Sequence, residues 1–410
     1  MKLSSIICVL IAWSIFPVQA QIFQLSDTTR YTEQNGHGYD LLPAQKNKSR
    51  KPFYYSVRVP DGNYKVTVTL GSKKQAGNTT VRAESRRLYV QNTNTKKGEL
   101  IQITFIVNKR TPFISEKEAV RIKDREKGSL TWDDKLTLEF NGSAPLCEWI
   151  KVEPAQADVP TLFLCGNSTV VDQTREPWAS WGQMIPLFFD NKICFANHAE
   201  SGLSANSFIS GNRLKKILFQ LKSGDYVFVE FGHNDQKQTG PGVGAWYSFM
   251  TNLKMFIDET RAKGAFPVLI TPTQRRRFDE TGHNLNTHGE YPDAIRWLAQ
   301  KENVPLIDLN QITNTLLNSL GEGNSTKAFV HYAAGTFPGQ KEALADNTHF
   351  STYGAFEIAK CVITGMEKAV PELYQYLKPG FNFQPDKPDS FESFKWDLSP
   401  FYEGVKPDGN

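Results

Sequence analysis

Cysteine is scarce in this chain: there are five in 410 residues. Cys8 lies in the first apolar stretch. Cys147, Cys165, Cys194 and Cys361 fall into no zinc or redox spacing, which excludes a thiolate metal site. Three of these four sit in or beside apolar runs, where buried free thiols are expected. A bridge between Cys165 and Cys194 stays open, because their strands are candidates to be neighbours. Net charge is also small. With 47 Lys and Arg against 43 Asp and Glu, the formal charge is +4 and dispersed, so a nucleic-acid partner has no electrostatic support. No run after residue 20 is apolar enough to span a bilayer. No internal repeat stands out. Gly-x-Ser-x-Gly is absent too, which excludes the serine elbow of α/β-hydrolases.

The first residues read as an export signal. Lys2 supplies the positive start, Ile6 to Phe16 the apolar stretch, and Val18-Gln19-Ala20 the small-residue cleavage pattern. Removal before Gln21 would deliver the chain to the periplasm or the exterior, with no membrane span left.

Residues 21–155 look all-β. Segments 53–59 and 64–70 alternate polar with apolar and flank Pro60-Asp-Gly-Asn63, which reads as a hairpin turn. Further strands are expected at 80–83, 87–91, 99–107, 135–140 and 148–152. Such alternation predicts antiparallel sheets with one wet face, hence a β-sandwich accessory domain. From 156 to 378 the pattern changes. Short apolar strands (161–165, 192–196, 225–231, 266–271, 304–308) alternate with helical stretches (207–221, 246–263, 291–302, 353–368). That order predicts an α/β domain whose parallel sheet is covered on both faces. The tail, 379–410, is rich in Pro, Asp, Phe and Trp without periodicity; an irregular wrap or partial disorder is expected.

The chemistry concentrates at strand ends. Gly166-Asn-Ser-Thr169 breaks the apolar run 161–165, at the edge where open α/β sheets place their ligands. A serine hydroxyl is a poor nucleophile until a base takes its proton. His349 is the candidate base, and Asp346, three residues earlier, can orient the imidazole from the same turn. Each residue alone has a plainer reading: Ser168 as a helix cap, His349 as a loop histidine, Asn234-Asp235 as a turn.

Taken together, four ordered blocks resemble the SGNH (GDSL-type) hydrolases from about residue 160 to 372. They are Gly166-Asn-Ser-Thr169, Ala199-Glu-Ser-Gly-Leu-Ser204, Gly232-His-Asn-Asp235 and Asp346-Asn-Thr-His-Phe-Ser-Thr-Tyr-Gly354. The phrasing around Glu230-Phe-Gly-His-Asn-Asp235 and Thr271-Pro-Thr-Gln-Arg-Arg276 is most similar to the rhamnogalacturonan acetylesterase branch. The resemblance implies a three-layer, flavodoxin-like α/β/α domain. The sandwich before it, which no motif identifies, either binds carbohydrate as galactose-binding-like sandwiches do or serves as a spacer that shapes one wall of the cleft. It also implies removal of acetyl groups from acetylated pectic polysaccharide, with no metal or cofactor. By it, Ser168 is the nucleophile, His349 the general acid/base and Asp346 its orienter. The oxyanion hole would be the N–H groups of Ser168 and Gly202 with the amide of Asn234. One departure is Asn167, where the family usually has an acidic residue.

Several features keep two readings. Arg275-Arg276-Arg277 is either a solvated run or, with His288, a rim that recognises galacturonate carboxylates. His283, His288 and Glu290 fit no metal motif and read as a polar loop. Of the sequons, Asn47, Asn78, Asn141, Asn324 and Asn167, glycosylation of the last would block Ser168, which leans towards a bacterial route. Rival functions are an SGNH esterase or lipase on another acyl substrate, such as acetylated xylan, and a non-catalytic carbohydrate-binding protein.

Overall fold

The structure is a computed structural model that describes residues 20–43 and 51–408. Apart from Ala20, the expected leader lies outside the described residues, as does Asn47. Nine strands come from the first part of the chain: β1 (Gln21–Gln24), β2 (His37–Asp40), β3 (Phe53–Arg58), β4 (Gly62–Gly71), β5 (Gly77–Ala83), β6 (Arg87–Thr95), β7 (Leu100–Lys109), β8 (Lys135–Ala144) and β9 (Cys147–Pro154). Five of them form one antiparallel sheet in the order β2-β3-β8-β5-β6. Val57, Leu138 and Phe140 from that sheet share a core with Val66, Val68 and Val152 from β4 and β9, which gives a sandwich.

The expected hairpin at 60–63 does not form. β3 pairs with β2 and β8, whereas β4 pairs with β7 and β9, so the turn crosses from one sheet to the other. A Pro-Asp-Gly-Asn turn reverses the chain equally well in both cases. Which strand lies alongside is decided by burial, and both β3 and β4 are buried along most of their length.

Five parallel strands follow: β10 (Thr161–Cys165), β11 (Cys194–Asn197), β12 (Tyr226–Glu230), β13 (Phe266–Ile270) and β14 (Leu306–Ile307). Their order, β11-β10-β12-β13-β14, is the flavodoxin-like arrangement. Its outer strand β11 pairs in parallel with β7 through Phe195 and Val107. The sandwich and the α/β region therefore share one nine-stranded sheet, β1-β9-β4-β7-β11-β10-β12-β13-β14.

Seven helices matter for the site: α1 (Trp181–Met184), α2 (Ala205–Ser210), α3 (Arg213–Gln220), α4 (Met250–Ala262), α5 (Tyr291–Glu302), α6 (Leu309–Ser325) and α7 (Thr352–Ala369). They cover both faces of the parallel sheet, as the unbroken apolar strands require. Leu162 and Leu164 pack with Ile358 and Val362 of α7. Phe163 and Cys165, pointing the other way, pack with Ile217 of α3 and Phe256 of α4. The single helix expected at 207–221 is two, broken at Gly211-Asn212, where Asn212 adopts a left-handed φ of 63°. Helix α6 went unforeseen because its Asn, Thr and Gly content hides the apolar positions.

All four described cysteines are free. The register pairs Thr161 with Cys194, so Cys165 lies four residues further along the ladder. That separation, about 13 Å, is too long for a disulfide. After residue 378 the described chain is irregular apart from one short turn, Phe391–Ser393. It is tied down at intervals: Asp389 accepts from Tyr353, and Trp396 and Ser399 both donate to Glu176.

Candidate active site

The serine turn is built from the end of β10. Asn167 Oδ1 accepts the Thr169 N–H at 3.1 Å, closing a tight side-chain turn that sets Ser168 at its apex. Beneath it, Glu230 ends the neighbouring strand β12. It accepts from Thr169 Oγ1 at 2.8 Å and from Trp181 Nε1 at 2.6 Å. Burial pushes the Glu230 carboxyl up to about 7, against the pull of those hydrogen bonds. The Ser168 carbonyl accepts from Ser180 Oγ at 2.6 Å and Gln173 Nε2 at 3.1 Å. Asn167 thus performs the turn-closing task with its amide oxygen, which needs no charge.

Asp346 and His349 come from a hairpin that pattern reading missed, β15 (Phe329–Tyr332) with β16 (Leu344–Phe350). Pairing jumps from His331–Ala345 to Phe329–Phe350, so residues 346–349 bulge out of the ladder. Within the bulge Asp346 Oδ1 accepts the N–H groups of Thr348 and His349, at 2.7 and 3.0 Å. Its Oδ2 lies 2.8 Å from His349 Nδ1, and His349 Nε2 lies 2.9 Å from Ser168 Oγ. Trp178 packs edge-on against the imidazole at 5.8 Å. Burial alone would raise the Asp346 carboxyl. The His349 contact and the two backbone N–H groups outweigh it and hold the group well below the usual carboxylate range. The result is a continuous relay from carboxylate through imidazole to hydroxyl.

On the other side of Ser168, Gly202 has φ 76°. Asn234 Nδ2 donates one hydrogen to the Leu203 carbonyl at 3.0 Å, and Lys237 donates to Asn234 Oδ1 at 3.2 Å. The second amide hydrogen of Asn234 has no acceptor among the described residues, and its orientation is fixed. Among the described residues the N–H groups of Ser168 and Gly202 have no hydrogen-bond acceptor. Asp235 ties the two turns together, accepting from Ala205 N at 2.8 Å and Gly232 N at 2.9 Å. Converging donors of this kind stabilise negative charge on an attacked carbonyl oxygen.

The arginine run divides. Arg275 donates to the Thr287 hydroxyl at 3.1 Å and the His233 carbonyl at 3.3 Å, and burial lowers its guanidinium from the usual value. Arg276 donates to Ser325 Oγ at 3.1 Å and the Glu322 carbonyl at 2.7 Å. Both therefore tie their loop to neighbouring segments, while Arg277 is exposed. His288 is buried, within 2.8 Å of the Thr273 carbonyl, and burial pushes it down to about 3. Among the described residues no three of His, Cys, Asp and Glu are grouped to hold a metal ion.

Three contributions were not visible in sequence. Glu230 is one; its position as the last residue of a buried strand was the available signal. The second is a brace from the sandwich: Arg87 pairs with Asp172 at 2.8 Å and Arg86 with Glu176 at 2.7 Å, all four side chains buried. These contacts hold the segment that follows Ser168. The third is the C-terminal segment. Glu403 pairs backbone to backbone with Glu176, Lys406 Nζ reaches Asp346 Oδ2 at 3.4 Å, and Asp408 lies against Gly202. Beneath this cover Ser168 is only 2% exposed and His349 1%.

Comparison with known proteins identifies the family. Residues 164–355 match the GDSL-like Lipase/Acylhydrolase family. The rhamnogalacturonan acetylesterase RhgT of Bacillus subtilis is 43% identical over 53% of this chain and 93% of its own length. The probable rhamnogalacturonan acetylesterase YesY of the same organism is 33% identical, over 50% of this chain and 92% of its own. A solved structure of the protein YxiM, again from Bacillus subtilis, aligns over 85% of this chain and 98% of that one, at 23% identity and TM-score 0.47. The chain belongs to the GDSL-like lipase/acylhydrolase (SGNH) family of serine ester hydrolases.

Proposed function

We propose that this chain is an exported carbohydrate esterase that removes acetyl groups from pectic polysaccharide of the rhamnogalacturonan type. The observation that carries the reading is the buried relay Asp346–His349–Ser168, with successive contacts of 2.8 and 2.9 Å. The names of the relatives, two of them rhamnogalacturonan acetylesterases, support the substrate class.

In this reading His349 Nε2 takes the Ser168 proton as Oγ attacks the acetyl carbonyl carbon. The carbonyl oxygen becomes an oxyanion, received by the N–H groups of Ser168 and Gly202 and the spare amide hydrogen of Asn234. Each such donor stabilises the transition state by roughly 2.7–4 kcal/mol. Collapse expels the sugar oxygen, which takes the proton from His349. Water, deprotonated by the same imidazole, then releases acetate from the acetyl-serine. Asp346 stays ionised throughout and fixes the imidazole tautomer.

The test is acetate release from acetylated rhamnogalacturonan beside acetylated xylan, for wild type and Ser168→Ala. Release from the pectic substrate that vanishes in the variant is the expected result. Serine-independent release would defeat the mechanism, and release from xylan alone would defeat the substrate assignment.

A further inference from the structure

A cleft of about 280 Å³ opens beside the serine relay. Its walls come from three distant parts of the chain. The sandwich region contributes Arg125, Lys127 and the turn Gly128-Ser129; the segment after the serine contributes Thr174 and Arg175; the C-terminal segment contributes Glu403, Val405, Lys406 and Asp408. Ser168 and His349 do not line it, but three contacts join its walls to their immediate neighbours. Lys406 stands 3.4 Å from Asp346, Asp408 lies against Gly202, and Gln173, next to Thr174, holds the Ser168 carbonyl. We propose that this cleft is a subsite for a carboxylate-bearing sugar, a uronate adjoining the acetylated residue of the substrate chain. The proposal rests on the pectic reading above and deepens it.

Charge is the first argument. Four cationic side chains line the cleft against two carboxylates. The carboxylates have partners, Glu403 in Arg175 at 3.8 Å and Asp408 in Lys123 at 3.2 Å. So do the lysines, Lys127 in Asp124 at 2.6 Å and Lys406 in Asp346 at 3.4 Å; the excess of cations on the wall itself remains two. The second argument is geometry. Arg175 approaches Glu403 no closer than 3.8 Å, and Arg125 approaches Glu200 no closer than 3.4 Å. Both distances exceed the roughly 2.7–2.9 Å of a charge-assisted hydrogen bond, so neither guanidinium fork is held in a close bidentate pair with its carboxylate. Arg175 is also half exposed, at 51%, so a ligand can reach it. Size is the third. The volume suits roughly one sugar ring beside the scissile ester rather than a long acyl chain. Arg275 and Arg276, by contrast, are occupied in tying their loop to neighbouring segments.

The test uses Arg175→Gln and Lys127→Gln, singly and together; both side chains are exposed and outside the catalytic relay. Turnover is measured on an acetylated galacturonate-containing oligosaccharide, an acetylated xylo-oligosaccharide and 4-nitrophenyl acetate. The double variant is expected to lose about tenfold in kcat/KM on the acidic substrate, chiefly through KM, and little on the other two. The Arg175→Lys variant should recover only part of the loss, because an ammonium lacks the fork. Equal losses on all three substrates, or none, would overturn the proposal. Binding of unacetylated oligogalacturonate to the Ser168→Ala protein separates this proposal from the function it rests on. If wild type fails to deacetylate the pectic substrate yet binding occurs and weakens in the double variant, the subsite stands and the activity reading falls. If the acidic substrate is turned over but oligogalacturonate binding is unaffected by the double variant, the subsite falls alone.

Discussion

Replacing Asp346 by Asn separates orientation from folding more cleanly than removing the serine does. Asn is nearly isosteric, and its outcome depends on which way the amide faces. In one orientation its oxygen keeps the two backbone N–H groups of Thr348 and His349 that Asp346 Oδ1 now accepts at 2.7 and 3.0 Å. Its NH₂ then points at His349 Nδ1, in the place of the carboxylate oxygen now 2.8 Å away. The flipped orientation would offer an oxygen to His349 but turn two backbone donors towards an NH₂. Leaving them unmet costs about 1–3 kcal/mol each, so the first orientation wins. Nδ1 must then accept, the imidazole proton moves to Nε2, and Nε2 can no longer take the Ser168 proton. The wrong tautomer lowers kcat by roughly 10⁴ in serine hydrolases, or about 5.5 kcal/mol. The assay is steady-state hydrolysis of 4-nitrophenyl acetate, with thermal melting as a control for folding. A variant that melts like wild type and keeps more than about a tenth of its kcat would refute the tautomer argument.

Other predictions follow from the same geometry. Asn234→Ala should reduce kcat by about 10²–10³ with a smaller change in KM, measured on the same ester. Gly202→Ala should destabilise the protein by about 1 kcal/mol or more in urea unfolding, since a Cβ at φ 76° would stand 2.8 Å from the Asp408 Cβ. Arg87→Met removes the ion-pair partner of the buried Asp172, leaving it only the Asn197 amide at 2.8 Å, and should cost about 3–5 kcal/mol; a melting curve unchanged from wild type would show that the pair does not brace the serine segment. Glu230 has a pH signature. Its folded value, about 7, lies above the unfolded one, so the folded state holds a proton the unfolded state has lost between about pH 4.5 and 7. Stability should therefore fall as pH rises through that window, and Glu230→Gln should flatten the fall in melting scans. Asp346 behaves oppositely: its folded value is depressed, so its contribution is present above about pH 4 and is lost only as pH falls well below that.

The parallel half of the fold was legible because its strands carry their own signature. A strand buried on both faces must be apolar at every position, and Leu162 to Cys165 meets that condition without reference to the rest of the chain. The serine turn was legible for a similar local reason, since Gly166 to Thr169 interrupts such a strand where a ligand edge must be. Asp346 and His349 could be paired by their spacing, but not the hairpin bulge that presents them. That bulge depends on β15, a four-residue strand too short to show a pattern, and Pro338-Gly339 between β15 and β16 signals only a reversal of the chain.

Long-range pairing, by contrast, left no mark in the sequence. Pro60 to Asn63 specifies a reversal of direction, and only the competition for burial sends β3 and β4 into different sheets. Nothing in Phe195 or Val107 announces that they join the sandwich to the α/β sheet, because any two apolar strand edges satisfy the same hydrogen bonds. The arginine run illustrates the converse: three adjacent guanidinium groups look like one surface, yet loop geometry assigns Arg275 and Arg276 to internal carbonyls and hydroxyls. The C-terminal segment is the clearest case. Its composition shows no periodicity, so its own sequence settles only that it forms neither a long helix nor a strand. Its course past Glu176 to Asp346 and Gly202 is fixed by hydrogen bonds and ion pairs to residues more than fifty positions away. Sequence by itself determined the family, the parallel sheet and the residues of the relay, because each is written in local pattern. Tertiary structure alone decided what braces the serine and what walls its cleft, because those depend on which distant surfaces come to share a face.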